Sequence, residues 1–444
     1  MQKLVRVDPD RLSIVFSHPE LCTRSGTCVG ICPEKALSLG EDYYPVINED
    51  LCTECGKCNE VCPGQSVDFS RLGELSFADP KPPESFDGRV EEVHVAYASE
   101  EPMRYGGAGG GVVTALLYDL LKHGDVDGCV VTRMRADKPW LGEPFIARNR
   151  EDLLQSQGSR YTVIPYNLVL QQIRQEGGKY AVAALPCQVH GLRFALQQDA
   201  ELKKQIPFVI GLFCGGALEP FVVPELLETK GIDKTEIKDF QFRGGEWPGK
   251  MRAIMRQGEV RDLHYSNYKD GAYNYFVGLY MPTRCQTCVD GSGLFSDLSV
   301  SDAWTRDKQG NYKFPWHSRI LIRNENGRKI LNNAIQRGTL IATNLGDDPA
   351  YLTHRQQTQR KGMNAPLRLA RWFRKGISVP NYGLNTPQST TKERLTERVV
   401  SSLLWLGKFR AIRYPLIKFL TSGAAVPLIK LRLFLKNRKY RKAS

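Results

Sequence analysis

The sequence predicts a chain of mixed class, α+β and α/β, and three observations carry that expectation. Two similar cysteine runs fall within the first seventy or so residues, β-rich runs alternate with helical patterns from about 90 to 345, and the positive charge gathers at the C-terminal end. The first observation gives a two-site ferredoxin-like module at 1–70, the second a mixed α/β core at 90–350, and the third a helical basic extension at 351–444. Residues 71–89 are left as a linker, centred on the proline- and acid-rich stretch "FADPKPPESFDG".

In the N-terminal module, Cys52, Cys55, Cys58 and Cys62 are followed by Pro63, the C-x2-C-x2-C-x3-C-P run of a bacterial iron-sulfur site. The preceding run, "LCTRSGTCVGICPEKAL", keeps Cys22, Cys28 and Cys32 but places Ser25 where the second cysteine would stand. In two-cluster modules the fourth cysteine of each run ligates the other cluster, so Cys52, Cys55, Cys58 and Cys32 are expected to hold a complete 4Fe-4S cluster. Cys22, Cys28 and Cys62 are left for the first site. A serine oxygen is harder than a thiolate and binds iron less well. The first site is therefore expected to be 3Fe-4S or a 4Fe-4S cube with one exchangeable corner, the alternative being a position that merely tolerates serine. Two zinc knuckles fit less well, because zinc spacings seldom place cysteine before proline in this way.

The chain of 444 residues is long enough to build a core without disulfide staples. Its twelve cysteines at sharp spacings, with no N-terminal apolar h-region, point to metal thiolates in a reducing compartment, so a cytoplasmic location is expected. The net charge of +13 is uneven: residues 351–444 hold twenty-one Lys or Arg against two Asp or Glu, a net +19, which leaves −6 for the rest. A general pull toward nucleic acid is thereby disfavoured.

Within the core, "VEEVHVAYA", "VDGCVVTRM", "YAVAALPC", "IPFVIGLFCGG" and "FSDLSVSDAW" read as strands, and "GVVTALLYDLLKHG" as a helix closed by Gly124. The segment "KMRAIMRQGEVRDLHY" adds an antiparallel portion. Cys187, Cys214, Cys285 and Cys288 lie in loops or at the ends of apolar runs, where strand ends present ligands to a shared site, and together they could hold another 4Fe-4S cluster. Cys129, inside "GCVVTR", reads instead as a small buried hydrophobe. The loop "YGGAGGG" opens a helix, where free N–H groups and the helix dipole favour phosphate, although it matches neither the dinucleotide fingerprint nor the P-loop. "QGSRYTVIP" adds small polar groups and an arginine suited to a pyrophosphate.

Taken in order, "GGAGGGVVTALLYDLLKHGDVDG", "QGSRYTVIP", "ALPCQVHGLR", "IGLFCGG", "FRGGEWPG" and "RCQTCVDGSGLFSDLSVSDAW" resemble the beta subunit family of coenzyme F420 hydrogenase and dehydrogenase. The resemblance implies an FAD-bearing core with its own 4Fe-4S cluster, ligated by Cys187, Cys214, Cys285 and Cys288. It places Gly109, Gly110, Gly111 and Thr114, with Gly158, Ser159, Arg160 and Tyr161, against the flavin nucleotide. His190 and Tyr161 become candidate proton donors near the flavin; Arg243, Trp247 and Asp302 match family motifs without an assigned role. The implied function is an iron-sulfur flavoprotein oxidoreductase. It would pass electrons between ferredoxin-type clusters and FAD to reduce or oxidise an organic substrate such as coenzyme F420 or a chlorophyll-type tetrapyrrole, with a ferredoxin or a redox partner subunit at the other end. The alternative is an electron-transfer subunit of a larger hydrogenase or dehydrogenase without a substrate of its own.

The tail lies outside this resemblance. "TTKERLTERVVSSLLWLGKFRAIRY" starts with a capping box of Thr390 and Glu393, and Leu395, Val399, Leu403, Leu406 and Phe409 recur at helical spacing among cations. A basic amphipathic helix is expected, with peripheral contact at the inner face of a membrane. The competing expectation is that the stripe packs on the core or on a partner subunit. No stretch of eighteen residues is both apolar and free of charge, which disfavours a spanning helix.

Overall fold

The computed structural model describes residues 12–64, 66–80, 87–265, 267, 273–307, 309–346 and 358–442. At its centre is an eight-stranded mixed sheet built from β3 (Glu92–Ala98), β4 (Gly128–Met134), β5 (Gly142–Ala147), β6 (Tyr180–Ala184), β7 (Phe208–Leu212), β11 (Leu298–Asp302), β12 (Ser318–Ile322) and β13 (Leu340–Asn344). The order is β13-β3-β12-β11-β7-β6-β4-β5. The inner pairs β4-β6, β6-β7 and β7-β11 are parallel and the outer pairs antiparallel. The residues explain the division: β6 reads "YAVAA" and is buried throughout, as a strand covered on both faces must be.

Helices cover the sheet from both sides. The helix Val112–Lys122 presents Val112, Ala115, Leu116 and Leu120 to one apolar layer, and Pro186–Gln198 presents Val189, Leu192 and Phe194 to the other. A separate three-stranded antiparallel sheet, β8 (Ile237–Gly244), β9 (Lys250–Met255) and β10 (Val260–Asp262), contains the antiparallel portion expected from "KMRAIMRQGEVRDLHY".

The N-terminal module carries a short pair, β1 (Leu37–Leu39) with β2 (Pro45–Ile47), and two single-turn helices, Thr27–Ile31 and Lys57–Glu60. It is fused to the core rather than appended. Ile31, Val61, Val67 and Phe69 share one apolar layer with Val130, Val182 and Val209 of the sheet. Two glycines permit the contact: a Cβ on Gly30 would stand 2.1 Å from the Asn167 carbonyl oxygen, and one on Gly191 would stand 2.3 Å from Thr27 Oγ1. The helix Phe69–Ser76 corrects the start of the expected linker, because Leu72 is fully buried and Asp68 caps the helix by accepting from the Ser70 and Arg71 N–H groups. Residues 81–86 of that linker, like 347–357 around the expected start of the tail, lie outside the described residues.

Beyond β13 the chain returns across both halves. Asn381 forms a bridge with Ser66, the Val67 N–H donates to the Asn381 carbonyl at 2.8 Å, and the Tyr382 ring packs edge-on to Phe69 at 5.2 Å. Three helices follow, Thr391–Leu406, Arg410–Leu420 and Val426–Lys442.

Candidate redox and cofactor site

The eleven cysteines singled out by spacing fall into three groups. Cys32, Cys52, Cys55 and Cys58 line one small cavity, the set that cross-ligation between the two runs requires. Cys22, Cys28 and Cys62 form a second group whose thiols interact electrostatically. Cys187, Cys214, Cys285 and Cys288 form a third in the same sense. No three His, Cys, Asp or Glu side chains among the described residues stand close enough to hold a single metal ion. Burial pushes the Cys22 thiol up to about 12 and those of Cys58 and Cys214 up to about 11, so bare thiolates are disfavoured at these positions. An iron-sulfur core supplies the positive charge that would offset this cost, and the donor chemistry of all three groups fits one. Cys129, by contrast, is a core residue of β4 whose thiol points to the Leu117 carbonyl.

Ser25 is buried, and its hydroxyl is already engaged. Its Oγ lies 2.9 Å from Thr27 Oγ1 and accepts from Thr23 Oγ1 at 3.2 Å, while Thr27 Oγ1 accepts from Asn167 Nδ2 at 2.8 Å. This hydroxyl chain ties the serine to Asn167 of the core.

The second and third thiol groups are bridged by a buried cation. Arg284 donates to the Pro63 carbonyl at 3.0 Å and to the Tyr382 hydroxyl at 2.7 Å, and it interacts electrostatically with Cys22 and Cys62 on one side and with Cys187 and Cys288 on the other. Arg24, held by Glu219 at 2.8 Å, likewise lies within electrostatic reach of Cys285. Lys361 is buried against the third group. Burial opposes its charge, yet Cys288, Cys214 and Cys285 together hold its pKa above the usual lysine range.

A cavity of ≈ 330 Å³ adjoins the third group, and Cys214 forms part of its wall. The other walls include Gly109, Gly111 and Thr114 at the start of helix 112–122, and Gly158, Ser159, Arg160 and Tyr161. Gly110, expected among these, does not line the cavity; its carbonyl is turned to β3, where it accepts from the Ala98 N–H at 2.8 Å. Arg243 and Asp302 both line the cavity and pair at 2.9 Å. Arg243 also donates to the Ala108 carbonyl at 2.6 Å, so the pair fixes the glycine loop. Trp247 does not itself line the cavity but stacks on Trp304, which does, with ring centroids 5.3 Å apart.

Burial lowers the Arg160 guanidinium to about 10, and its Nε, shielded from solvent, has no hydrogen-bond partner among the described residues. Such a group fits an anion in the cavity. Arg360, from the segment after β13, adds a third cation to the lining beside Arg160 and Arg243, and Val113, Leu117, Val131, Ile164 and Leu212 supply apolar wall. An anion-binding helix start beside an apolar slot fits a dinucleotide with a planar ring system, and FAD has that form.

His190 stands elsewhere. It is buried between Phe69 and Phe295, pairs with Asp290 at 3.0 Å, and does not line the cavity. Burial opposes the charge on Asp290, but His190 and the Leu294 N–H hold its carboxyl below the usual carboxylate range, and the same carboxylate accepts from the Ser292 and Gly293 N–H groups. The pair therefore shapes the loop that follows Cys288, and of the two candidate proton donors the cavity wall contains Tyr161 alone. Lys361, Arg360 and Tyr382 carried no signal in the sequence, and Arg284 stood in a quoted motif without a role, since each acts through contacts made across the fold.

The chain is similar to known proteins. Residues 93–171 match the N-terminal domain and residues 177–348 the C-terminal domain described as coenzyme F420 hydrogenase/dehydrogenase, beta subunit, while residues 15–66 match the 4Fe-4S dicluster domain. The coenzyme F420-dependent sulfite reductase of Methanocaldococcus jannaschii is 28% identical over 70% of this chain, which spans 46% of that protein's length. The beta subunit of the coenzyme F420 hydrogenase of Methanosarcina barkeri is 25% identical over 52% of this chain and 73% of its own. A chain of the F420-reducing NiFe hydrogenase complex from Methanosarcina barkeri shares the fold, with a TM-score of 0.53 at 20% identity, covering 68% of this chain and 100% of that one. No described helix is long and apolar enough to cross a membrane.

Proposed function

Because the chain belongs to the coenzyme F420 hydrogenase/dehydrogenase beta subunit family, we propose that it is the electron-transfer subunit of an oxidoreductase complex, with FAD in the cavity and an organic substrate exchanging electrons there. The observation that carries this reading is Cys214, which belongs at once to the third thiol group and to the cavity wall. FAD, when bound, exchanges a hydride with an organic partner and single electrons with clusters. The thiol groups supply the route: the first includes the exposed Cys55, the second is more deeply placed, and the third adjoins the cavity.

The protein's own groups have distinct parts in this scheme. The start of helix 112–122 and Arg160 hold the dinucleotide's phosphates, and the Arg243-Asp302 pair keeps the glycine loop in place for them. The Tyr161 hydroxyl is the group we assign to moving a proton at the substrate, whereas His190 positions the loop after Cys288. Two relatives are named for coenzyme F420, which favours a deazaflavin substrate over a tetrapyrrole. Anaerobically purified protein should contain roughly two to three iron-sulfur clusters and about one FAD per chain, and should exchange electrons with coenzyme F420. Stoichiometric zinc with no flavin would overturn the proposal.

A further inference from the structure

The C-terminal helices are turned inside out. Helix 391–406 buries Glu397, which pairs with Arg368 at 3.1 Å and Arg371 at 2.7 Å. Helix 410–420 buries Arg413 against Glu225. Few apolar residues point inward with them, chiefly Leu404, Ile417 and Ile429. The longer apolar stripe faces solvent instead: Leu395, Val399 and Leu403 recur every fourth residue and are 61%, 55% and 54% exposed, and Trp405, Leu431 and Phe434 are exposed beyond half. A surface helix ordinarily turns its apolar stripe to the core, so this arrangement leaves a large apolar face uncovered.

The charges around that face identify what covers it. Lys392, Arg398, Lys408, Lys418 and Lys430 are exposed among the apolar side chains. Of the two acids in the tail, Glu397 is buried in its ion pairs and Glu393 is engaged by Thr390 at the helix start. Protein interfaces are depleted of lysine at their centres. An anionic headgroup layer is instead matched by interleaved cations, each contributing on the order of 1 kcal/mol, with the apolar face sinking to shallow depth. We propose that helices 391–406, 410–420 and 426–442 dock the protein peripherally on an anionic lipid surface. The docking face lies beyond residue 348, where the family match ends, and does not depend on what the redox sites hold.

The test is co-sedimentation of the full chain with vesicles of phosphatidylcholine alone and of phosphatidylcholine with phosphatidylglycerol, at low and at high salt. Binding is expected to the mixed vesicles at low salt, to fall at high salt, and to be lost from phosphatidylcholine alone. A Leu403→Glu, Trp405→Glu variant, altered at two exposed positions, should keep the visible spectrum of the parent yet partition at least tenfold less. Equal sedimentation of parent and variant would overturn the proposal. So would failure of the parent to bind the mixed vesicles at low salt, or self-association in solution that the variant abolishes, which would assign the face to a protein partner.

Discussion

Glu225→Gln tests how the tail is held. The Glu225 carboxylate, 6% exposed, accepts from Arg413 Nη2 at 2.5 Å and Nε at 2.9 Å and from the Tyr280 hydroxyl at 2.9 Å. The Arg413 guanidinium also lies over the rings of Phe221 and Tyr280, at 4.6 and 5.6 Å. Glutamine keeps the shape but removes the charge, leaving the Arg413 cation buried without its anion. Removing one member of a buried pair costs about 3–5 kcal/mol, and the amide oxygen, still able to accept one bond, brings this to about 2–3 kcal/mol. Arg410, 56% exposed and still paired with Glu228 at 2.7 Å, adds little. At a factor of ten per 1.4 kcal/mol, the undocked population of helix 410–420 should rise roughly 30- to 150-fold. Hydrogen-deuterium exchange read by mass spectrometry would report this as faster exchange in residues 410–420, with β6 unchanged. A Glu225→Leu, Arg413→Met double variant should recover most of the protection, because it leaves no buried charge. Unaltered exchange at 410–420 in the single variant, or acceleration spread evenly over the sheet, would refute the reasoning.

Three further outcomes are expected. Ser25→Cys supplies a fourth thiol to the Cys22, Cys28 and Cys62 group; the parent is expected to show the paramagnetic signal of an oxidised three-iron cluster and the variant to lose it, and identical spectra in both forms would assign Ser25 to mere tolerance. Lys361→Met removes a buried positive charge beside Cys214, Cys285 and Cys288, and should lower the reduction potential of the cluster proposed there by on the order of 59 mV, a tenfold change in a one-electron equilibrium, in a redox titration followed by paramagnetic resonance. Gly30→Ala places a Cβ 2.1 Å from the Asn167 carbonyl oxygen, and should destabilise the seam between module and core by about 1–3 kcal/mol, seen as a lower midpoint of thermal unfolding.

What the sequence made legible followed the range of each interaction. Each cysteine run lies within about a dozen residues, so the runs could be read directly, and the cross-ligation rule that joins Cys32 to Cys52, Cys55 and Cys58 is matched by the one cavity that these four line. The glycine loop and "QGSRY" were legible as parts of one cavity because a glycine-rich helix start has a local signature, although Gly110 faces away from the cavity, a direction that spacing does not encode. His190 sits three residues from Cys187, but its side chain is outside the cavity lining, paired with Asp290 a hundred residues on. The roles of Arg284 and Lys361 were invisible because a lone cation in a sequence says nothing about the thiols that the fold will place beside it. The apolar stripe of the tail could be counted from its period, but period alone does not say which face turns outward; Glu397 and Arg413 decide that through partners elsewhere in the chain.

The late return of the chain across the thiol groups also orders events during synthesis. Every one of the clustered cysteines has been made by residue 288, yet Lys361 and Tyr382, which pack against the third group and its bridging Arg284, come seventy to ninety-odd residues later. At about 5–20 residues per second, the ribosome leaves an interval on the order of ten seconds in which the ligands exist and their cover does not. A cluster held by these thiols would thus find an open door early in the life of the chain, and the polypeptide itself would shut it.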